Sequence, residues 1–254
     1  MKFGFIHNMN QISGILTAKN AEHPLQLQAV GDEQYYCKVT GWPRTLLVQL
    51  HSWSGVKEEC LVGETPGTRH ALEAIEDCVW VCPSFGGQNN HPQGAGHPAQ
   101  LERIKRVIDA TRAQYPMIER VILQGLSGGG YVSLMFMGAY PGVVYGASLW
   151  VFPYDLADWW TQKPQFRPSL EACMGGTPAQ VPQQYFTRSP MSVNISGVKL
   201  FLNGSDEDVQ VPYYQQVEAR DRFSPTNDVT FRDFPGGHIC QWDVAVAQIR
   251  SMQP

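Results

Sequence analysis

Apolar positions fall into two textures along the chain. Up to about residue 45, short runs such as GFIHN (4–8), LQLQAVG (25–31) and YYCKVTG (35–41) are separated by turn-forming residues, which predicts antiparallel strands at one edge of a sheet. Beyond it, RTLLVQLHSW (44–53) and CVWVCPSF (78–85) are continuous apolar runs of the kind buried inside a parallel sheet. Between residues 99 and 116, Leu101, Ile104, Ile108, Thr111 and Tyr115 recur at helical spacing. Glu102, Lys105 and Arg106 occupy the other face, and Pro116 ends the run. A strand follows at RVILQG (120–125), and then a helix over 131–140 that is apolar nearly all round and therefore buried. Further strands are predicted at VVYGASLWVF (143–152), VKLFLNG (198–204) and VTFRDF (229–234), and a closing helix over 242–252. Strands alternating with helices predict an α/β fold with a mostly parallel central sheet and reactive residues at the carboxyl ends of its strands. Residues 152–197, with YDLADWW, several prolines and EACMGGTP, break the rhythm. They are expected to form a small cap or specificity insertion within one domain spanning 1–254.

Composition narrows the function classes. The chain has 254 residues, 43% hydrophobic, and a net charge of −4 without any lysine- or arginine-rich run, which disfavours a nucleic-acid or anionic-membrane surface. No segment approaches the ~18 apolar residues of a membrane helix, and the first residues lack the apolar stretch of a signal peptide, so a soluble protein is expected, compartment open. Six cysteines are too few for a disulfide-built scaffold. Cys78 and Cys82 sit in a buried-strand pattern with no second close Cys/His pair, so no metal is expected, while one or two disulfides stay open. Asn194 and Asn203 each begin an N-x-S sequon.

The chemistry concentrates at Gly125-Leu126-Ser127-Gly128-Gly129, a G-x-S-x-G run between a predicted strand and a predicted helix. A sharp strand-to-helix turn forces its central residue into strained angles and tolerates no bulk on either side. In return it lifts one hydroxyl clear of the sheet edge, beside the free N–H groups of a helix start. A phosphate-binding turn fits less well, because neither a P-loop lysine nor a G-x-G-x-x-G register is present. A serine needs a base, and His238 in FRDFPGGHICQW follows the last predicted strand on the same edge. His7, His23 and His70 lack such a placement, and His91 and His97 lie in a turn-rich stretch. The imidazole needs a carboxylate, and NGSDEDVQVP offers Asp206, Glu207 and Asp208.

The order Ser…Asp…His, with LLVQLHSWSG, GLSGGG, NGSDEDVQVP and PGGHICQW, resembles the α/β-hydrolase superfamily over roughly residues 45–250. Within it, the chain is similar to single-domain serine esterases and to prolyl-oligopeptidase-like catalytic domains. The resemblance implies an α/β-hydrolase fold with helices on both faces, and acyl transfer with no cofactor or metal. In the acid loop G-x-x-D-x-x-V-P of such enzymes, D-x-x-V-P fits Asp208 to Pro212, with one residue too many back to Gly204; this favours Asp208 over Asp206. One oxyanion donor is expected at the N–H of Gly128. The resemblance puts the other in His51-Ser52-Trp53, where the family has His-Gly-X; by position it is the N–H of Trp53, with Ser52 as second choice. The chain has no room for the propeller that filters peptides in such peptidases, and no acidic cluster to hold a peptide's amino terminus is evident. A carboxylic ester is therefore the expected substrate, a small molecule or an acetyl or feruloyl ester of carbohydrate, with Trp159, Trp160 and Trp242 as tentative pocket residues. The alternatives are a serine peptidase of the prolyl-oligopeptidase type and a non-catalytic binding module on the same fold. Oligomeric state is not legible.

Overall fold

A computed structural model describes residues 25–61 and 72–254. His7, His23, His70 and the run GFIHN lie outside these residues. The strands are β1 (Gln26–Val30), β2 (Glu33–Val39), β3 (Thr45–Leu50), β4 (Cys78–Pro83), β5 (Arg120–Leu126), β6 (Gly146–Trp150), β7 (Lys199–Gly204) and β8 (Asp228–Asp233). Among the described residues they form one sheet in the order β1-β2-β4-β3-β5-β6-β7-β8. The two edge pairings, β1 with β2 and β2 with β4, are antiparallel. From β4 onward every pairing is parallel.

Period-two alternation explains why the central strands read as unbroken apolar runs. Leu46, Val48 and Leu50 of β3, Val79 and Val81 of β4, and Val121 and Leu123 of β5 enter one core. Leu47, Cys78, Trp80, Cys82 and Ile122 enter the other. Both faces are covered, so both sets of side chains are apolar. The first face carries α1 (Pro98–Gln114) and α2 (Gly128–Ala139); the second carries α7 (Trp242–Arg250), whose Val246 and Ile249 complete its core. Helix α1 starts at His97, whose ring accepts the N–H of Ala99, with Pro98 at the first helical position. Helix α2 is buried from Gly128 through Met137, as its all-round apolar sequence requires.

Outside the insertion, one helix among the described residues has no counterpart in the sequence reading: α6 (Tyr213–Phe223). Its buried face holds Gln215 and Gln216 beside Ala219 and Phe223, so the apolar period is interrupted by polar core residues. Both glutamines satisfy backbone groups at the head of the insertion: Gln215 Oε1 accepts from Tyr154 N at 2.7 Å, and Gln216 Nε2 donates to Phe152 O at 2.8 Å. The insertion itself, between β6 and β7, is helical: α3 (Leu156–Gln162), α4 (Arg167–Met174) and α5 (Pro182–Thr187), with 3₁₀ turns at Pro164–Phe166 and Pro190–Ser192. Arg188 ties it to the 86–97 loop by donating to Ala95 O at 2.9 Å, to Pro92 O at 3.3 Å and to Gly94 O, and it also donates to Cys173 O within the insertion at 2.9 Å.

All six cysteines are buried free thiols, so none of the disulfides left open by the sequence forms. Burial pushes the Cys37 thiol up to about 12 and that of Cys78 to about 11. Asn203 is buried in β7 and bonded to Leu149 O and Gln248, which leaves no space for a glycan. Among the described residues no helix is long and apolar enough to cross a membrane.

Glu33 at the antiparallel edge is a buried carboxylate, with Oε1 accepting Phe85 N–H at 2.6 Å and Oε2 facing Arg103 at 3.4 Å. Burial raises its carboxyl above the ordinary value of 4.5, against the opposing pull of those donors. A folded state that holds the proton more tightly loses this contribution as pH climbs from 4.5 toward the raised value. Glu33→Gln keeps an acceptor for Phe85 but cannot ionise. The difference in Tm, wild type minus variant, should therefore decline as pH rises above 4.5. Thermal unfolding at several pH values checks it.

Candidate active site

Ser127 follows β5 directly and has φ 56° and ψ −119°, a conformation few non-glycine residues adopt. Its N–H is fixed to Trp150 O at 2.8 Å. The flanking glycines are needed for contact. A Cβ at Gly125 would overlap the backbone of Gly129, one at Gly129 would overlap Leu50 O, and one at Gly128 would overlap the backbone N of Trp53. The head of α2 is thus pressed, backbone to backbone, against the end of β3 and the loop after it.

The acid and the base come from the next strands along the same edge. Asp208 lies in the turn after β7, with its N–H on Ser205 O and its Oδ1 accepting from Gln210 N at 2.7 Å and Val211 N at 3.1 Å. Its Oδ2 meets His238 Nδ1 at 2.8 Å, with the carboxylate fully buried and the imidazole nearly so. Asp208, and not Asp206, is the partner of His238; Asp206 faces a surface hollow with Tyr213, Asp233 and Pro235. With Nδ1–H given to Asp208, Nε2 keeps its lone pair. The residue that makes the acid loop one longer has a use here. Ser205 Oγ accepts Gly237 N–H at 3.1 Å, and Glu207 Oε2 accepts Gly236 N–H at 2.8 Å, so the acid loop also holds the His238 loop.

That loop returns over the sheet toward Ser127. Phe234 packs edge-on against Trp150 of β6 with centroids 5.1 Å apart, and Gln124 Nε2 of β5 reaches Cys240 Sγ at 3.6 Å. Leu126, one residue before Ser127, packs on the same cluster. Among the described residues the Ser127 hydroxyl neither caps α2 nor hydrogen-bonds His238. Such contacts are commonly long in free enzymes and tighten around substrate.

The two expected oxyanion donors meet at one point. Trp53 N and Gly128 are in backbone contact, and among the described residues neither N–H donates to a protein acceptor. Two side chains to which sequence reasoning gave no role, Asn89 and His51, hold the donor loop. Asn89 gives its backbone N–H (3.0 Å) and its Nδ2 (3.4 Å) to Trp53 O, and its Oδ1 accepts from Ala95 N and Gln100 Nε2. His51 approaches Ser52 O at 2.9 Å and Ser84 O at 3.0 Å and stacks on Phe85 at 3.8 Å; burial holds its ring below the ordinary value. Asn89 lies among turn residues, where nothing in the sequence separates it from a solvated asparagine.

The tryptophans correct the sequence reading. The Trp53 ring is buried, donating to Ser169 Oγ at 3.0 Å and meeting Trp159 edge-on at 5.0 Å. Trp159 has no exposed surface and donates to Gln210 O at 2.9 Å, so it fastens the insertion to the acid loop and offers no face to a substrate. Trp160 donates to Glu171 at 2.8 Å, and the Arg167 guanidinium covers its ring at 4.3 Å. Trp242 packs between two apolar clusters at the start of α7. The apolar groups that do stand free next to the acid and the base are Val209, 76% exposed, and Ile239, 44% exposed. His91 and His97 are likewise loop residues: His91 is bonded to Gly86 O, and His97 is the α1 cap.

Sequence comparison decides the family. The model of the prolyl oligopeptidase family matches residues 99–238, more than half of the chain and the whole span from α1 to His238. The chain belongs to the prolyl oligopeptidase family. No curated protein sequence matches it. Among solved structures, it is similar to the Pyrococcus horikoshii acylaminoacyl peptidase (14% identity, TM-score 0.70, covering 95% of this chain and 42% of that one). A post-proline cleaving enzyme from Rickettsia typhi matches with 12% identity and TM-score 0.67, covering 90% of this chain and 37% of that one. A bifunctional GH43-CE protein of Bacteroides eggerthii matches with 14% identity and TM-score 0.65, covering 86% of this chain and 36% of that one. The chain spans about two fifths of the length of these structures, and at such identities the likeness is one of fold. It is the α/β-hydrolase fold of prolyl-oligopeptidase-like enzymes.

The glycine contacts give this family site a direct test. Gly129→Ala drives a methyl group into Leu50 O. Overpacking of this kind costs about 1–3 kcal/mol, so Tm should fall by roughly 3–10 °C in thermal unfolding, with β3 and α2 forced apart.

Proposed function

We propose that the chain is a serine hydrolase that cleaves an acyl bond, with Ser127 as nucleophile, His238 as general base and acid, and Asp208 as the group that orients His238. The 2.8 Å contact between His238 Nδ1 and Asp208 Oδ2, on the sheet edge that also carries the strained Ser127, supports this reading above all. Ser127 Oγ adds to the carbonyl carbon as its proton passes to His238 Nε2. The carbonyl oxygen, now negative, accepts from Trp53 N–H and Gly128 N–H, an interaction of roughly 3 kcal/mol per donor. Collapse of the tetrahedral species breaks the bond to the leaving group, which takes the proton from His238. Water then repeats the cycle on the acyl-serine and releases the acid.

The bond most consistent with the family is an amide or peptide bond. Membership of the prolyl oligopeptidase family and the peptidases among the similar structures support it over the ester that the sequence reading put first. The carbohydrate ester also loses physical support, since Trp159 has no exposed surface and the Arg167 guanidinium lies over the Trp160 ring. An amine is the poorer leaving group and must be protonated as it departs, which makes a firmly held His238 more valuable. The anchors Asp208, Ser205 and Glu207 meet that need.

Ser127→Ala should abolish both turnover and labelling by a fluorophosphonate probe. Asp208→Asn should lower kcat by about 10³–10⁴-fold by disturbing the His238 tautomer, while Asp206→Asn stays within about twofold of wild type. Steady-state kinetics on an activated acyl substrate checks both. On natural-type substrates, aminoacyl or N-acylaminoacyl amides should be cleaved with higher kcat/KM than acetylated or feruloylated sugars; the reverse preference would return the assignment to an esterase.

A further inference from the structure

Ser52 stands where the family resemblance puts a glycine, and its surroundings are fitted to a serine. The Glu59 carboxylate accepts the Ser52 hydroxyl at 2.6 Å and the Ser52 N–H at 3.1 and 3.2 Å. Glu59 lies in the 3₁₀ turn Lys57–Cys60. That turn is anchored by Cys60, which is buried beside the core of Leu47 and Trp80 and bonded to Lys57 O. Gly55 keeps the path open: a Cβ there would overlap Glu59 Oε2 and lie 3.0 Å from Ser52 Oγ. The peptide these groups hold is the one whose N–H is that of Trp53.

An oxyanion donor acts through its aim, and the Ser52–Trp53 peptide is aimed from three directions. Its carbonyl is met by His51 Nδ1, and the next carbonyl, Trp53 O, is held by Asn89. Its remaining end, the Ser52 amide and hydroxyl, is held by Glu59. A glycine here could rotate freely; the serine with its carboxylate partner cannot.

We infer that Glu59 is a positioning residue for the oxyanion site: by gripping Ser52 through amide and hydroxyl, it turns the Trp53 N–H toward the carbonyl oxygen of an acyl group on Ser127. The inference rests on the serine-hydrolase reading above. It predicts a loss confined to transition-state binding. On p-nitrophenyl acetate, Glu59→Ala should lower kcat by roughly 30-fold with KM within about twofold, and Glu59→Gln, which keeps one acceptor, should fall between it and wild type. Affinity for an alkylboronic acid, whose Ser127 adduct places an oxygen in the oxyanion site, should fall in parallel with kcat. Ser52→Ala should cost about fivefold alone and nothing further in the Glu59→Ala background. Should Glu59→Ala fail to fold, Glu59→Gln and Ser52→Ala carry the same measurement. Folded Glu59 variants with wild-type kcat overturn the inference, as does a fall in kcat without loss of boronate affinity. A wild-type protein that neither turns over nor takes the fluorophosphonate label would instead overturn the hydrolase reading itself.

Discussion

The site depends on one close approach: the head of α2 lies against the end of β3 with no side chain between them. Gly125, Gly128 and Gly129 each face backbone atoms at distances that a Cβ would violate. Because the gap is closed, Ser127 is pushed into positive φ, its hydroxyl is lifted off the sheet, and the N–H of Gly128 comes beside that of Trp53. Any widening would release the strain and separate the donors at once. The strained serine and the paired, unbonded N–H groups are thus two results of one packing constraint.

The order of strands then supplies the remaining chemistry. β5, β6, β7 and β8 are neighbours running in the same direction, so the turns after β5, β7 and β8 open on one edge. A carboxylate after β7 lies two strands from the serine, and the histidine loop must fold back across β6 to reach it. Phe234 on Trp150 and Cys240 on Gln124 mark that return path.

Much of this was legible in the sequence, for identifiable reasons. Buried parallel strands carry apolar residues on both faces, and that pattern located β3 to β7. The G-x-S-x-G run, the histidine after the last strand and the D-x-x-V-P register located Ser127, His238 and Asp208. What escaped was polar and buried or half-buried. Helix α6 hides glutamines in its core-facing stripe, Gln100 is one polar residue in an amphipathic helix, and Asn89 and Glu59 are read locally as ordinary turn residues. The tryptophans misled for the opposite reason. An aromatic side chain near a site suggests stacking, but Trp159 gives its N–H to the acid loop and Trp160 spends its ring and N–H on the insertion itself.

The insertion is riveted at several points. Arg188 is bonded to carbonyl oxygens on two separate segments, Tyr131 Oη of α2 donates to Arg188 O at 2.6 Å, and the indoles of Trp53 and Trp159 close the seam between insertion, donor loop and acid loop. The insertion thereby shares its anchors with the loops that carry Trp53 and Asp208, so a substitution in that seam is felt at both.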